Sequence, residues 1–150
     1  MNKIRVTKSF NFETAHALYG YDGKCRNIHG HSYKLYVTVL GTPIQDADNP
    51  KFGMVIDFGD IKRIVRAEVV DKFDHSILLN VNSPHKDLGE KLLADGHKVI
   101  FTEYQPSCEN MLIDMVKSLR PKLDSSLKLQ AVRLHETETS YAEWLAEDNK

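Results

Sequence analysis

Polar and apolar residues alternate from the start of the chain. Ile4, Val6, Phe10 and Phe12 share one parity, and Arg5, Thr7, Ser9 and Asn11 share the other, with Lys8 as the one break. Period two predicts a strand with one buried face, and the same parity carries on to Thr14 and His16. Gly20-Tyr21-Asp22-Gly23 marks a loop. Alternation resumes from Tyr33 to Val39 with the odd positions apolar, and Gly41-Thr42-Pro43 ends it. Residues 44–53 are polar and read as a connection. Met54-Val55-Ile56-Asp57-Phe58 then predicts a short strand, antiparallel to the one before it.

The period changes after that point. Ile61, Ile64, Val65, Val69 and Phe73 recur near 3.6 residues, which predicts a helix over 60–73 with Asp60 at its positive end. Asp87 to Asp95 suits a short helix closed by Gly96, and Val99-Ile100-Phe101 a strand. Cys108, Met111, Leu112, Met115, Val116 and Leu119 form the stripe of a second long helix, with Ser107 as its N-cap and Pro121 as its stop. Residues 127–136 read as extended, and a short amphipathic piece around Tyr141, Trp144 and Leu145 ends the chain. Strands in runs with helices packed on one side predict an α+β fold. No linker or repeat divides the sequence, so one domain over residues 1–150 is expected.

Composition removes several functions. Twenty basic and 21 acidic residues give a formal charge of −1, which offers no global attraction to nucleic acid or to a membrane surface. No apolar run approaches the roughly 20 residues of a membrane span. With 41% hydrophobic and 27% charged residues the chain is not a disordered one. Two cysteines are too few for a disulfide framework, and the opening residues enter a strand pattern directly; both point to a cytoplasmic protein without a leader.

The histidines carry the chemistry. His29 and His31 sit two apart, share the parity of Tyr33 to Val39, and so project together at the start of the apolar face. Gly30 leaves room between them. His16 ends the preceding strand and becomes the third member if the two strands are antiparallel neighbours. Three neutral imidazoles suit zinc with a fourth position open for catalysis. Cys25, between Lys24 and Arg26, is open to four readings: fourth ligand, nucleophile, base or a free thiol without a role. Cys108, on a helix stripe, reads instead as a small buried hydrophobe. Asp74-His75 is a candidate proton relay. Glu136, at a strand end, can accept two parallel hydrogen bonds from the edge of a pterin or guanine ring. His85 and His97 read as surface residues.

These elements occur in a telling order. Phe12-x-x-x-His16, Cys25-x-x-x-His29-Gly30-His31, Val55-Ile56-Asp57-Phe58, Asp74-His75, Pro106-Ser107-Cys108-Glu109-Asn110 and His135-Glu136-Thr137 together resemble the 6-pyruvoyl-tetrahydropterin synthase family. The likeness is strongest to its bacterial 6-carboxy-5,6,7,8-tetrahydropterin branch, which serves queuosine biosynthesis. The resemblance implies the tunnelling fold, an antiparallel sheet with helices on one face, three chains closing into a barrel and two trimers stacking into a homo-hexamer. It implies a Zn2+ ion on His16, His29 and His31, Cys25 as base, His75 with Asp74 as relay, and Glu136 as pterin anchor. The implied substrate is 7,8-dihydroneopterin triphosphate, split into a carboxylated pterin, acetaldehyde and triphosphate. By charge and proximity alone, Lys24, Arg26 and Lys34 are candidate phosphate contacts. The sister activity, triphosphate elimination to a pyruvoyl pterin, and a non-catalytic zinc-bearing pterin module are the alternatives.

Overall fold

The computed structural model describes residues 1–150. Strands β1 (Ile4–His16) and β2 (His29–Gly41) form a long antiparallel pair running from Ile4 opposite Gly41 to His16 opposite His29. That register sets the even residues of β1 beside the odd residues of β2, as in Phe12 opposite Tyr33 and Phe10 opposite Leu35. Both expected apolar sets therefore fall on one face, buried from Phe10 and Phe12 across to Tyr33, Leu35, Val37 and Val39, while Ile4 at the strand start stays exposed. Four more strands complete the sheet: β3 (Ser76–Asn80), β4 (Val99–Thr102), β5 (Lys128–Thr137) and β6 (Ser140–Leu145). The order across it is β4-β3-β1-β2-β5-β6.

Helices cover the buried face. α1 (Phe58–Val65) continues through a π-helical stretch, Arg66–Val70, into the last turn α2 (Asp71–Phe73). The wider turn lets Val69 and Val70, adjacent in sequence, both be buried. α3 (His85–Ala94) ends before Gly96, whose φ of 90° closes it as expected. α4 (Cys108–Leu119) buries all six residues of its predicted stripe, and the Ser107 hydroxyl accepts the Asn110 N–H at 3.2 Å. α1, its π-helical continuation, α2 and α4 share with the central strands one hydrophobic cluster of 21 buried residues, from Phe10 to Leu134. Each large side chain in it contributes on the order of 2 kcal/mol by leaving water.

Four features differ from the sequence expectation. Met54 to Phe58 is not a strand, and β2 pairs with β1 and β5 instead. Asp57 wins that segment: its carboxylate accepts the Gly59 N–H at 2.8 Å and starts α1 at Phe58. Secondly, β3 is an additional strand. Its run Ser76-Ile77-Leu78-Leu79 is nearly all buried and so lacks alternation. Thirdly, the sheet is mixed, because β3 runs parallel to both β1 and β4. Lastly, the terminal amphipathic piece is β6, an edge strand antiparallel to β5.

One irregularity places a site residue. Leu127 and Leu129 are odd, whereas Val132, Leu134 and Glu136 are even. The β2–β5 register slips between Thr38 and Val39, leaving Gln130 as the extra residue. The bulge restores Val132 and Leu134 to the helix-covered face, and Glu136 follows their parity.

Candidate metal and proton-transfer site

The helix-covered face ends in four polar side chains. His16 and His29 are direct cross-strand partners, and His31 lies diagonally beside them, opposite Thr14. Ring centroids are 4.5 Å apart for His16 and His29, 5.0 Å for His29 and His31, and 5.3 Å for His16 and His31. Gly30 permits the close strand approach here: a Cβ would stand 3.3 Å from the Thr14 carbonyl oxygen. Glu136 arrives from β5. One ligand atom from each of His16, His29, His31 and Glu136 falls within 4.8 Å of the others.

The orientation of these rings is set from behind. His16 Nδ1 lies 2.7 Å from the Pro106 carbonyl oxygen and His29 Nδ1 lies 2.6 Å from that of Asn27. A carbonyl only accepts, so each Nδ1 carries the proton and each Nε2 presents a lone pair. The Nε2 atoms of His16, His29 and His31 are buried and have no hydrogen-bond partner. Glu136 Oε1 lies 2.9 Å from His31 Nε2 without hydrogen-bond alignment. Burial pulls the His16 pKa below its ordinary value despite the Pro106 carbonyl. Burial does the same to His31 against the opposing pull of Glu136. Neutral imidazoles with converging lone pairs are the donor set a metal ion needs. The observed geometry therefore fits one, with Glu136 as neighbour or fourth ligand.

Two further side chains border this group. Tyr33 is 1% exposed and has its pKa pushed up, first by burial and then by the charges of Glu136, Cys108 and Cys25. Its hydroxyl donates to Met111 Sδ at 3.8 Å. Cys108 is buried as expected, donates to the Leu134 carbonyl at 3.5 Å, and is pushed up to about 12, first by burial and then by Glu136. It stays a neutral thiol. Cys25 sits in a single 3-10 turn, Lys24–Arg26, half-buried, tied by its carbonyl to the Leu18 N–H at 3.0 Å. It stands outside the four-residue metal group.

Asp74 and His75 lie elsewhere. Asp74 ends α2, and its Oδ1 accepts the Glu13 backbone N–H at 2.9 Å and contacts His75 Nδ1 at 2.9 Å. The His75 side chain is 77% exposed, and its φ of 60° is one that few non-glycine residues adopt. It lines a cleft of about 530 Å³ with Glu13, the 30–32 stretch of β2, His97 and Lys98. The pair is thus formed as expected, but not within the metal group. His97 is exposed as expected, whereas His85 is half-buried with its ring edge-on to Tyr19 at 5.2 Å. The Pro106 and Asn27 carbonyls were not foreseeable as ring supports, because backbone acceptors leave no mark in sequence. Tyr33 had a signal, the parity it shares with His29 and His31.

Known proteins place the arrangement. The profile described as 6-pyruvoyl tetrahydropterin synthase matches residues 5–147. A Haemophilus influenzae protein named 6-carboxy-5,6,7,8-tetrahydropterin synthase is 34% identical over 142 residues, covering 94% of this chain and 98% of that one. An Aquifex aeolicus protein of the same name is 30% identical over 169 residues, covering 97% and 99%. Among solved structures, Caenorhabditis elegans 6-pyruvoyl tetrahydropterin synthase superposes with a TM-score of 0.70 at 24% identity, covering 97% of both chains. An uncharacterized Wolinella succinogenes protein, WS1659, superposes at 0.80 with 18% identity, covering 97% and 99%. The architecture is the tunnelling fold of these neighbours, and the chain belongs to the 6-pyruvoyl tetrahydropterin synthase family.

Proposed function

We propose that this chain is a zinc-dependent lyase. It converts 7,8-dihydroneopterin triphosphate and water to 6-carboxy-5,6,7,8-tetrahydropterin, acetaldehyde and triphosphate, in the cytoplasm, on the way to the 7-deazapurine queuosine. The observation that carries this reading is the convergence of three buried, unpartnered Nε2 atoms beside the Glu136 carboxylate. The branch rests on relatives that bear the carboxy name over nearly their whole length.

His16, His29 and His31 would hold the zinc. When bound, zinc supplies a Lewis acid that polarises the hydroxyls of the substrate side chain. Glu136 accepts the paired N–H groups of the pterin edge and fixes the ring. Cys25 takes a proton from the side chain as base. His75 is the second proton carrier: Asp74 Oδ1 holds its Nδ1–H and leaves Nε2 for the substrate. Cys108, kept neutral, stays out of proton transfer.

The exposed His75 calls for a partner. We infer that three chains close their sheets into a barrel and two barrels stack as a homo-hexamer, so that His75 of one chain serves the metal group of the next. Closure would also cover the sheet's open edges. No helix is long and apolar enough to cross a membrane.

Incubating zinc-loaded protein with 7,8-dihydroneopterin triphosphate and trapping volatile carbonyls tests the reaction. Acetaldehyde with a carboxylated pterin is the expected result. A pyruvoyl pterin with triphosphate and no acetaldehyde would assign the sister activity, and bound but unchanged pterin would assign a binding module.

A further inference from the structure

The corner that holds Asp74 and His75 joins a helix end to a strand, and such corners leave carbonyls unsatisfied. Here one side chain takes two of them. Lys98 Nζ donates to the Asp71 carbonyl at 2.7 Å and to the Asp74 carbonyl at 2.8 Å. Its positive charge also sits at the negative end of α2, where the helix dipole favours a cation. Lys98 reaches this place because β4 runs parallel to β3: Ile77 pairs with Val99, and the Ile77 N–H donates to the Lys98 carbonyl at 3.0 Å. The excursion through α3 and back along β4 thus returns a cation to the chain just after His75.

His75 needs such support. Its left-handed backbone persists only where neighbours over-determine it. On one side the His75 N–H donates to the Glu13 carbonyl at 2.6 Å, and Asp74 Oδ1 takes the Glu13 N–H at 2.9 Å. β1 therefore grips the corner from that side. Lys98 grips it from the other, and its side chain is the lone cation among the contacts that hold the two residues. Its charge adds to the Glu13 N–H and His75 in holding the Asp74 carboxyl below the usual range.

We infer that Lys98 is a positioning residue that fixes the Asp74–His75 corner in its strained backbone and so sets the direction of the His75 imidazole. This rests on the proton-transfer role proposed above for His75. Lys98 itself touches no reacting atom; its Nζ is directed at backbone carbonyls.

The test uses the full oligomer carrying Lys98→Met, Lys98→Arg, His75→Ala, and Lys98→Met combined with His75→Ala. Metal content and thermal unfolding serve as controls. Misaiming a proton carrier by about an ångström costs on the order of ten- to a hundredfold. Lys98→Met should therefore lower kcat by about tenfold or more with KM within about threefold, and Lys98→Arg, which keeps charge and donors, should recover most of it. In the His75→Ala background, Lys98→Met should change kcat no further. A loss of kcat by Lys98→Met of equal size with and without His75, or no loss at all, overturns the inference. A second readout needs no turnover: the His75 ring-proton resonance, assigned by its absence in His75→Ala, should shift or broaden in Lys98→Met and not in Lys98→Arg. If the wild-type protein fails to turn over the pterin while this resonance responds, the reaction assignment fails and the positioning role stands. An unmoved resonance in Lys98→Met rejects the role regardless of the reaction.

Discussion

The metal group and the Asp74–His75 corner differ in how complete they are. His16 is 1% exposed, its ring is oriented by a carbonyl, and its Nε2 meets those of two more histidines. His75 is equally well anchored at its backbone, yet 77% of its side chain faces solvent. Packing explains the contrast. The metal group closes the same face that builds the hydrophobic core, so burial and orientation come with folding. The corner lies at a junction between helix and strand, outside that cluster, where only hydrogen bonds and one lysine hold it. A single chain thus brings three histidines and Glu136 together and leaves His75 facing outward.

The largest effect should come from breaking the complete half. His16→Ala removes one of three converging lone pairs, and zinc affinity should fall by more than the roughly ten- to hundredfold that an outer-shell loss costs. Metal analysis after dialysis checks this. Unchanged zinc content would dissolve the three-histidine assignment.

Cys25→Ala separates binding from chemistry. Loss of a general base typically costs on the order of a hundred- to ten-thousandfold. Turnover should drop by that much with fold and zinc retained; zinc lost along with activity would make Cys25 a ligand.

Glu136→Gln asks which half Glu136 serves. A hydrogen bond to a charged group contributes about 1.5–3 kcal/mol, so an anchoring role predicts KM rising on the order of tenfold or more with metal content unchanged. A fall in zinc affinity instead would place Glu136 in the coordination shell.

The corner carries a pH signature. The Asp74 carboxyl is lowered, first by the Glu13 N–H and then by His75. A lowered folded value means the stabilisation is full above the unfolded pKa of about 4 and fades as pH falls through the lower folded value. Asp74→Asn should therefore reduce Tm most at neutral pH, with the gap to wild type closing below about pH 4. A gap that stays constant down to pH 3 would show that the carboxylate's charge does not hold the corner. The smallest effect concerns the shared scaffold: Ser107→Ala removes the α4 cap and should cost about 1 kcal/mol in denaturant unfolding.

Legibility in the sequence followed the same divide. β1, β2 and α4 were readable because each has one buried face and therefore a clear period. The three histidines were readable because they continue that period into the strand ends. β3 was not, because it is buried on both sides and shows no alternation. The segment Met54 to Phe58 misled, because its apolar run outweighed the capping signal of Asp57. The bulge at Gln130, which aims Glu136, leaves no mark beyond the change of parity from Leu127 and Leu129 to Val132 and Leu134, and the stretch reads simply as extended. Lys98 was invisible, since only the parallel pairing of β3 and β4 brings it to the corner.

We propose that the catalytic site is assembled from two chains, with the metal group and Cys25 from one and His75 from another, and subunit mixing can show it. Cys25→Ala and His75→Ala proteins, each with turnover far below wild type alone, are dissociated, combined in equal amounts and reassembled. Turnover of 7,8-dihydroneopterin triphosphate should return in the mixture, because some interfaces pair an intact Cys25 with an intact His75. A mixture as inactive as its parents, although mass analysis shows that mixed oligomers have formed, would contradict it.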